Sequence, residues 1–298
     1  MQNFIKKLDN FQRRYWLPSF IFAVVKKYNE DEAGSQAALL TYYAFLSLFP
    51  LLLVLTTVTE LISTSHAELQ ATIIKGTTNY FPVLGNQLSA HVQTLHTNGL
   101  ALAVGILFTV YGARGVADAF QRSVQHLWQV PKKDRDGFPK STVKSLGIIC
   151  VAGVGFIVAS LSIALVSSAG HGWFLRVMTF AINVFIWSLI FVLLLDLSLP
   201  RHVSFKETRG AALCAAVGLA ALQTLGGYLI KKELHHLDAL YTYFALALGL
   251  LFWIYLQVQI LFYALEIAVV HSNRLWPRSL SGHDLTNADH RSLEHQTL

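Results

Sequence analysis

Long apolar stretches joined by shorter polar connections run through most of the chain. A helix needs about 20 apolar residues, at about 1.5 Å each, to cross a hydrocarbon layer of about 30 Å. Helix is the required state, because hydrocarbon offers backbone amides no other partner and barrel strands are shorter and alternate. The pattern predicts an all-α polytopic membrane protein, a bundle of six transmembrane helices with amphipathic surface helices. The six predicted spans are 37–61, 99–120, 145–168, 177–199, 210–230 and 241–270.

The remaining segments divide the chain into three parts. Residues 1–36 are predicted to form a cytoplasmic leader on the membrane surface, which stays uncleaved because no small-residue cleavage site follows its short apolar stretch. Residues 37–272 form the transmembrane domain, and its external segment 62–98 is expected to hold short surface helices. Residues 273–298 are polar and rich in His and Ser, so a disordered cytoplasmic tail is expected there.

Composition supports a membrane location. Hydrophobic residues make up 54% of the chain and charged residues 13%, about half the charged share of about 25% that is usual in soluble domains. Since a water-soluble protein could not bury this much apolar surface, lipid must cover part of it. Membrane lipids are therefore the first expected partner, and a homo-oligomer is a second.

The cationic residues are distributed unevenly between the connections. Of the 23 Lys and Arg residues, 18 lie in the leader, in the loops after the second and fourth spans and in the C-terminal segment. The opposite set of connections holds four. The positive-inside rule then places both chain ends in the cytoplasm, as an even number of spans requires. The basic loop after the second span has few aromatic residues, which favours anionic lipid headgroups over nucleic acid.

Four charged residues inside predicted spans matter most, because they lie near the cytoplasmic ends of those spans: Arg114, Asp118, Asp196 and Glu266. Such charges cost about 2.5–3.5 kcal/mol each at a helix centre, so they call for an explanation. All four share one depth near the cytoplasmic interface. Arg114 lies one turn from Asp118, and Asp196 or Glu266 is an alternative partner for it. They form either a polar gate or coupling site, or interfacial charges that reach water or brace the bundle.

The sixth predicted span carries a polar stripe at helical spacing. Tyr255, Gln259, Tyr263 and Glu266 follow one another at steps of four, four and three, which keeps them on one face. A stripe of this kind must face protein or water rather than lipid. Either it lines a cavity or it holds the bundle together through interhelical hydrogen bonds.

Small residues occupy one face of the fifth predicted span, at Gly210, Cys214, Gly218 and Gly226. Such a face lets a neighbouring helix approach closely, so we interpret it as a packing surface. The cysteine needs no redox role there.

Sequence signatures of catalysis are missing. The chain has no P-loop, no G-x-S-x-G, no H-E-x-x-H and no C-x-x-C motif. Its two cysteines offer neither a disulfide framework nor metal-ligand spacing. We therefore expect no enzyme active site, no cofactor and no metal.

Several segments resemble the YihY/virulence factor BrkB family of bacterial inner-membrane proteins. The most specific is AALLTYYAFLSLFP at 37–50. LPRHV at 199–203 with GAA at 210–212 resembles the family's loop into the fifth helix, and LFWIYL at 251–256 with ALE at 264–266 resembles its last helix. The chain departs from that last pattern, because Tyr263 stands where a small residue is usual and Leu265 separates Ala264 from Glu266.

The resemblance covers about residues 30–272 and implies a multi-pass protein of the bacterial inner membrane. Members have been linked to resistance to serum killing and to lipid export, and some are labelled ribonuclease BN. Our leading hypothesis is transport of a lipid or amphipathic solute, or envelope maintenance. A non-transporting structural or assembly factor is the alternative. A ribonuclease comes last, because the sequence offers no cluster of metal ligands for phosphodiester hydrolysis.

Overall fold

The computed structural model describes residues 9–63, 99–168, 172–200, 203, 205–233, 239–280 and 285–296. Within those residues every regular element is helical, which confirms the predicted all-α class. A short helical segment at 9–14 precedes the first numbered helix. The numbered helices are α1 Trp16–Glu30, α2 Ala33–Ser63, α3 Gly99–Leu127, α4 Lys140–Ser168, α5 Trp173–Ser198, α6 Phe205–Glu233, α7 Ala239–Ser272 and α8 Asn287–Gln296.

Local sequence explains several helix ends. Pro18 lies in the first turn of α1, where a missing N–H costs no intrahelical bond. Leu199 precedes a proline and is extended, with φ −93° and ψ 152°, so α5 ends at Ser198. Glu32 takes a left-handed φ of 50°, which turns the chain between α1 and α2 within two residues.

Each predicted span falls within one long helix, except that the fourth runs one residue past the end of α5. Among the residues that the structure describes, four helical stretches are long and apolar enough to cross a membrane: Lys140–Ala159, Trp173–Ser198, Lys206–Gly226 and Ala247–Ser272. Helices α2 and α3 have 31 and 29 residues, and their membrane crossing remains a prediction, as does the orientation of the bundle. The predicted surface helices at 64–98 lie outside the described residues.

Helices α2 to α7 pack as a closed ring. Each packs against the next along the chain, and α7 returns to pack against α2. One apolar core joins residues from all six, including Leu48, Val124, Leu195 and Phe262. Large apolar side chains also point outward, as lipid contact requires; among them are Val154, Phe185, Leu213 and Phe252.

Three glycines allow close approach between neighbouring helices of the ring, one at α4–α5 and two at α6–α7. A Cβ at Gly155 of α4 would lie 2.7 Å from Ile190 of α5, and one at Gly218 of α6 would lie 2.5 Å from Ile260 of α7. A Cβ at Gly226 would overlap the indole ring of Trp253. The small-residue face of α6 is therefore a packing surface at Gly218 and Gly226, whereas Gly210 faces open space.

Helix α1 lies outside the ring, against α7 and α2. Its outer face is apolar and exposed at Trp16, Leu17 and Ile21, and its inner face buries Ala23 and Val24 against Val270 and Leu275. An amphipathic helix with this pattern suits the membrane surface.

The C-terminal segment differs from the disorder expected for 273–298. Residues 275–280 pack beside α1, and α8 follows at Asn287–Gln296. Thr286 and Asp289 form a capping box at the start of α8: each backbone N–H donates to the other side chain, at 3.1 and 3.2 Å. Composition predicted disorder because polar residues are usually surrounded by water and do not hold a segment in place. In this segment, buried ion pairs hold several of the polar residues instead.

Candidate functional site

The polar face of α7, formed by Tyr255, Gln259, Tyr263 and Glu266, lies against α1. The Tyr28 hydroxyl donates to Gln259 Oε1 at 2.5 Å. Gln259 Nε2 donates in turn to the Tyr255 hydroxyl. The rings of Tyr28 and Tyr263 stack with centroids 4.1 Å apart and planes 9° apart. Two of the four predicted residues thus contact a single tyrosine of α1, and Tyr255 is linked to it through Gln259.

Burial keeps the Tyr28 hydroxyl protonated. Removal from water, with Tyr263 and Tyr255 nearby, raises the pKa of Tyr28 well above its usual range. The hydroxyl is therefore a hydrogen-bond donor to Gln259 at any physiological pH.

Glu266, at the end of the polar face, belongs to a buried triad with Lys27 of α1 and with Asp31, the residue that follows α1. Its side chain is 0% exposed, and Lys27 Nζ lies 3.9 Å from its Oε2. The same ammonium donates to Asp31, four residues further along the chain. Lys27 is 0% exposed and Asp31 5% exposed. No N–H or O–H of the described residues donates to either oxygen of Glu266.

The end of α3 also reaches this triad. Gln129 Nε2 donates to Asp31 Oδ1 at 3.2 Å, and His126 Nε2 lies 3.1 Å from the Asp31 backbone oxygen. Three elements, α1, α3 and α7, therefore converge on one buried group of charges.

Arg114 and Asp118 lie in a different place, between α3 and α4. Arg114 Nε is 3.7 Å from Asp118 Oδ2, as the one-turn spacing predicts. Arg114 also donates to Thr142 at 3.2 Å, and Ser145 donates to Asp118. The Arg114 side chain is 49% exposed. Within the described part of the chain, Arg114 pairs with Asp118 rather than with Asp196 or Glu266.

The four charges that are predicted to share one depth thus do not form a single site. Asp196 is exposed on α5, Arg114 and Asp118 lie at the α3–α4 boundary, and Glu266 lies beneath α1. Depth follows from the position of a residue within its span. The side of the ring that it faces depends on tertiary packing.

A second group of ion pairs holds the C-terminal segment to α1. In this terminal network, Lys26 Nζ contacts Asp289 Oδ1 at 2.9 Å, and Arg278 bridges Asp289 at 3.0 Å and Glu30 at 2.7 Å. Burial alone would raise the pKa of Asp289. Hydrogen bonds from Lys26 and from the N–H groups of Ser279 and Thr286 outweigh burial and hold that pKa well below its usual range.

Sequence reasoning missed the α1 side of the site. Lys27 and Asp31 are spaced i, i+4, which places them on one face of a helix, and Tyr28 follows directly. That spacing was the available signal, but the same residues also fit a basic, solvated leader.

Comparisons with known proteins agree with the architecture. A family model described as Virulence factor BrkB matches residues 24–287. The chain is 27% identical to a UPF0761 membrane protein of Psychrobacter sp. (strain PRwf-1), over 97% of this chain and 56% of that protein. It is 25% identical to a UPF0761 membrane protein of Alcanivorax borkumensis, over 84% of this chain and 60% of that protein. The chain thus spans somewhat more than half the length of these relatives, and no solved structure matches it.

Proposed function

We propose a function from the premise that this chain belongs to the virulence factor BrkB family, whose relatives are named as membrane proteins. It is a transport protein of the bacterial inner membrane that moves a lipid or an amphipathic solute along the polar face of α7. The observation that carries this proposal is that α7, a helix apolar enough to cross a membrane, keeps that face covered by α1 rather than by the ring.

The polar face is costly to maintain, which favours a function. Polar and ionisable side chains on a membrane helix are expensive and usually mark a substrate or ion route. A purely structural contact would give each buried oxygen a hydrogen-bond donor. The Gln259 oxygen has such a donor in Tyr28, and its amide donates to Tyr255, but no described residue donates to Glu266.

Helix α1 has the features of a cover. It lies outside the ring, its outer face is exposed, and it meets α7 through a stacked ring, one hydrogen bond and the buried triad. We interpret the structure as the closed state, in which α1 seals the polar face. Transport then requires α1 to move away from α7.

A lipid-exchange assay tests the proposal. The full chain is reconstituted into vesicles of phosphatidylethanolamine and phosphatidylglycerol that carry a fluorescent phospholipid, and an impermeant reductant bleaches the outer leaflet. We expect wild-type protein to expose inner-leaflet label faster than protein-free vesicles do. Glu266→Ala should reduce the rate to the protein-free level, and Glu32→Gln, at an exposed position next to the triad, should not change it.

Two results would contradict transport. The first is wild-type protein that moves neither the labelled phospholipid nor an amphipathic dye faster than empty vesicles. The second is a Glu266→Ala protein that keeps the wild-type rate while it is folded and equally abundant.

A structural or assembly role is the alternative, and the terminal network favours it. That network ties Arg278 and Asp289 to α1, and the Tyr28–Gln259 bond ties α1 to α7, as a brace would. In this case Glu266→Ala and Arg278→Ala should both lower the amount of folded protein in the membrane. Transport instead predicts normal abundance with lost activity for Glu266→Ala.

A further inference from the structure

We propose that the buried triad binds one proton, which resides on Glu266 and is shared with Asp31. The inference concerns the charge of the folded protein, and it does not depend on the transport proposal.

The first argument is a charge count. The triad contains two carboxyl groups and one ammonium, all buried. Lys27 donates directly to Asp31, whereas its distance to Glu266 is 3.9 Å. A second ionised carboxylate would leave one uncompensated negative charge out of water, which costs several kcal/mol or more. One additional positive charge removes that cost.

The second argument is the hydrogen-bonding state of Glu266. An ionised carboxylate is an acceptor with about four lone-pair sites, and a protonated one is a donor that needs a single acceptor. No described residue donates to Glu266, but the Asp31 carboxylate lies close enough for the two groups to interact. The surroundings therefore supply what the protonated form needs.

A metal cation fits this position less well than a proton. Hard cations take about six or more oxygen ligands at once, whereas a proton needs one donor and one acceptor oxygen. Lys27 Nζ, 3.9 Å from Glu266, would also repel a cation placed between them. The geometry thus favours a proton, the smallest cation, over a metal ion.

The other groups around Glu266 do not change this count. On α1, Glu30 adds a further negative field but pairs with Arg278. On α3, His126 faces the Asp31 backbone and Gln129 its side chain. On α7 itself, Tyr263 stacks on Tyr28. Helices α2 and α6 meet α7 in the shared apolar core, through residues such as Leu40, Ala212 and Leu219.

Infrared spectroscopy of the full chain in phosphatidylethanolamine and phosphatidylglycerol vesicles tests the inference. A protonated carboxyl group has a carbonyl stretch that carboxylates lack and that shifts in deuterated water. At neutral pH we expect this band in wild-type protein and in the matched control Glu32→Gln. Glu266→Gln should lose it. A wild-type spectrum without the band, or a band that persists unchanged in Glu266→Gln, would overturn the proposal.

Two further measurements cover a variant that fails to fold. Wild-type protein labelled with ¹³C-glutamate should show the band at a lower frequency, because the proton resides on a Glu side chain. An unshifted band would place the proton on another residue type and refute the assignment. Replacing potassium buffer by sodium buffer should leave the band unchanged. Loss of the band in sodium buffer would show that a metal cation supplies the positive charge instead.

Discussion

At the scale of single residues, polar side chains of α1 contact polar side chains of α7. Gln259 and Tyr263 meet Tyr28, and Glu266 meets Lys27. The sequence predicted the α7 half correctly as one face, because helical spacing is a local property. It could not identify the α1 half, since no local rule pairs residues that are this far apart along the chain.

Tyr28→Phe distinguishes the contribution of the Tyr28 hydroxyl to stability from that of its ring. The variant keeps the stack on Tyr263 but removes the donor to Gln259, so we expect a loss of about 1 kcal/mol in the free energy of unfolding. Denaturant unfolding in detergent measures it. Tyr15→Phe, at an exposed ring, is the control and should change stability little. Equal effects of the two variants would show that the Tyr28–Gln259 bond contributes nothing.

The pH dependence of the terminal network follows from Asp289. Its pKa lies lower in the folded protein than the about 3.9 of an unfolded Asp. The stabilisation is therefore complete above about pH 4 and declines as pH falls through the folded-state pKa. Amide exchange in α8 should accelerate in that acid range in wild-type protein. Unchanged exchange down to the global unfolding pH would contradict this expectation.

Asp289→Asn tests the same network at neutral pH. The variant removes the carboxylate that Lys26 and Arg278 share and leaves Arg278 with Glu30 alone, which costs about 3 kcal/mol for a broken buried pair. We expect faster amide exchange in α8 and in residues 275–280, with the ring helices unaffected. Asp134→Asn, at an exposed residue of the turn Lys132–Asp134, serves as the control.

At the scale of helices, small residues determine how closely α6 approaches α7. Gly226 faces the Trp253 ring and Gly218 faces Ile260, whereas Gly210, on the same face, meets nothing within 4 Å. Sequence spacing correctly placed these glycines on one face, but it could not show at which residue of α6 the contact with α7 ends.

Two alanine substitutions on α6 measure this contact. Gly226→Ala should destabilise the protein by about 1–3 kcal/mol, because the added methyl overlaps an indole ring in a packed interface. Gly210→Ala is matched in chemistry and should be neutral or slightly stabilising, since alanine favours helix. Thermal unfolding in detergent compares them, and a Gly226→Ala protein as stable as Gly210→Ala would refute the packing argument.

The helices themselves were largely predictable, and the C-terminal segment was not. Long apolar runs predicted the helical state of α2 to α7, because a membrane would leave the backbone no alternative. Most helices extend past the predicted spans, as in α3, where the polar residues Gln121, Ser123 and Gln125 are buried by packing rather than exposed in a loop. Helix α8 depends on a capping box and on distant ion pairs, and composition reports neither.

At the scale of the whole molecule, orientation in the membrane is the central prediction. A cysteine-free background, Cys150→Ser with Cys214→Ser, allows single-cysteine labelling with an impermeant maleimide on intact spheroplasts. Lys75→Cys should react at once. Phe138→Cys, at an exposed side chain between α3 and α4, should react only after permeabilisation. The opposite pattern would reverse the predicted topology and place the triad on the outer side.

Ring closure has a consequence for how the protein is made. Helix α2 leaves the ribosome early, yet one of its two ring neighbours is α7, which is synthesised last among the ring helices. Until α7 is inserted, lipid or the insertion machinery must cover that side of α2. During this time Lys27 lacks its neighbour Glu266. A nascent chain that stops before α7 therefore presents an open bundle, in which Lys27 has Asp31 but lacks Glu266, and we expect quality-control proteases to degrade it.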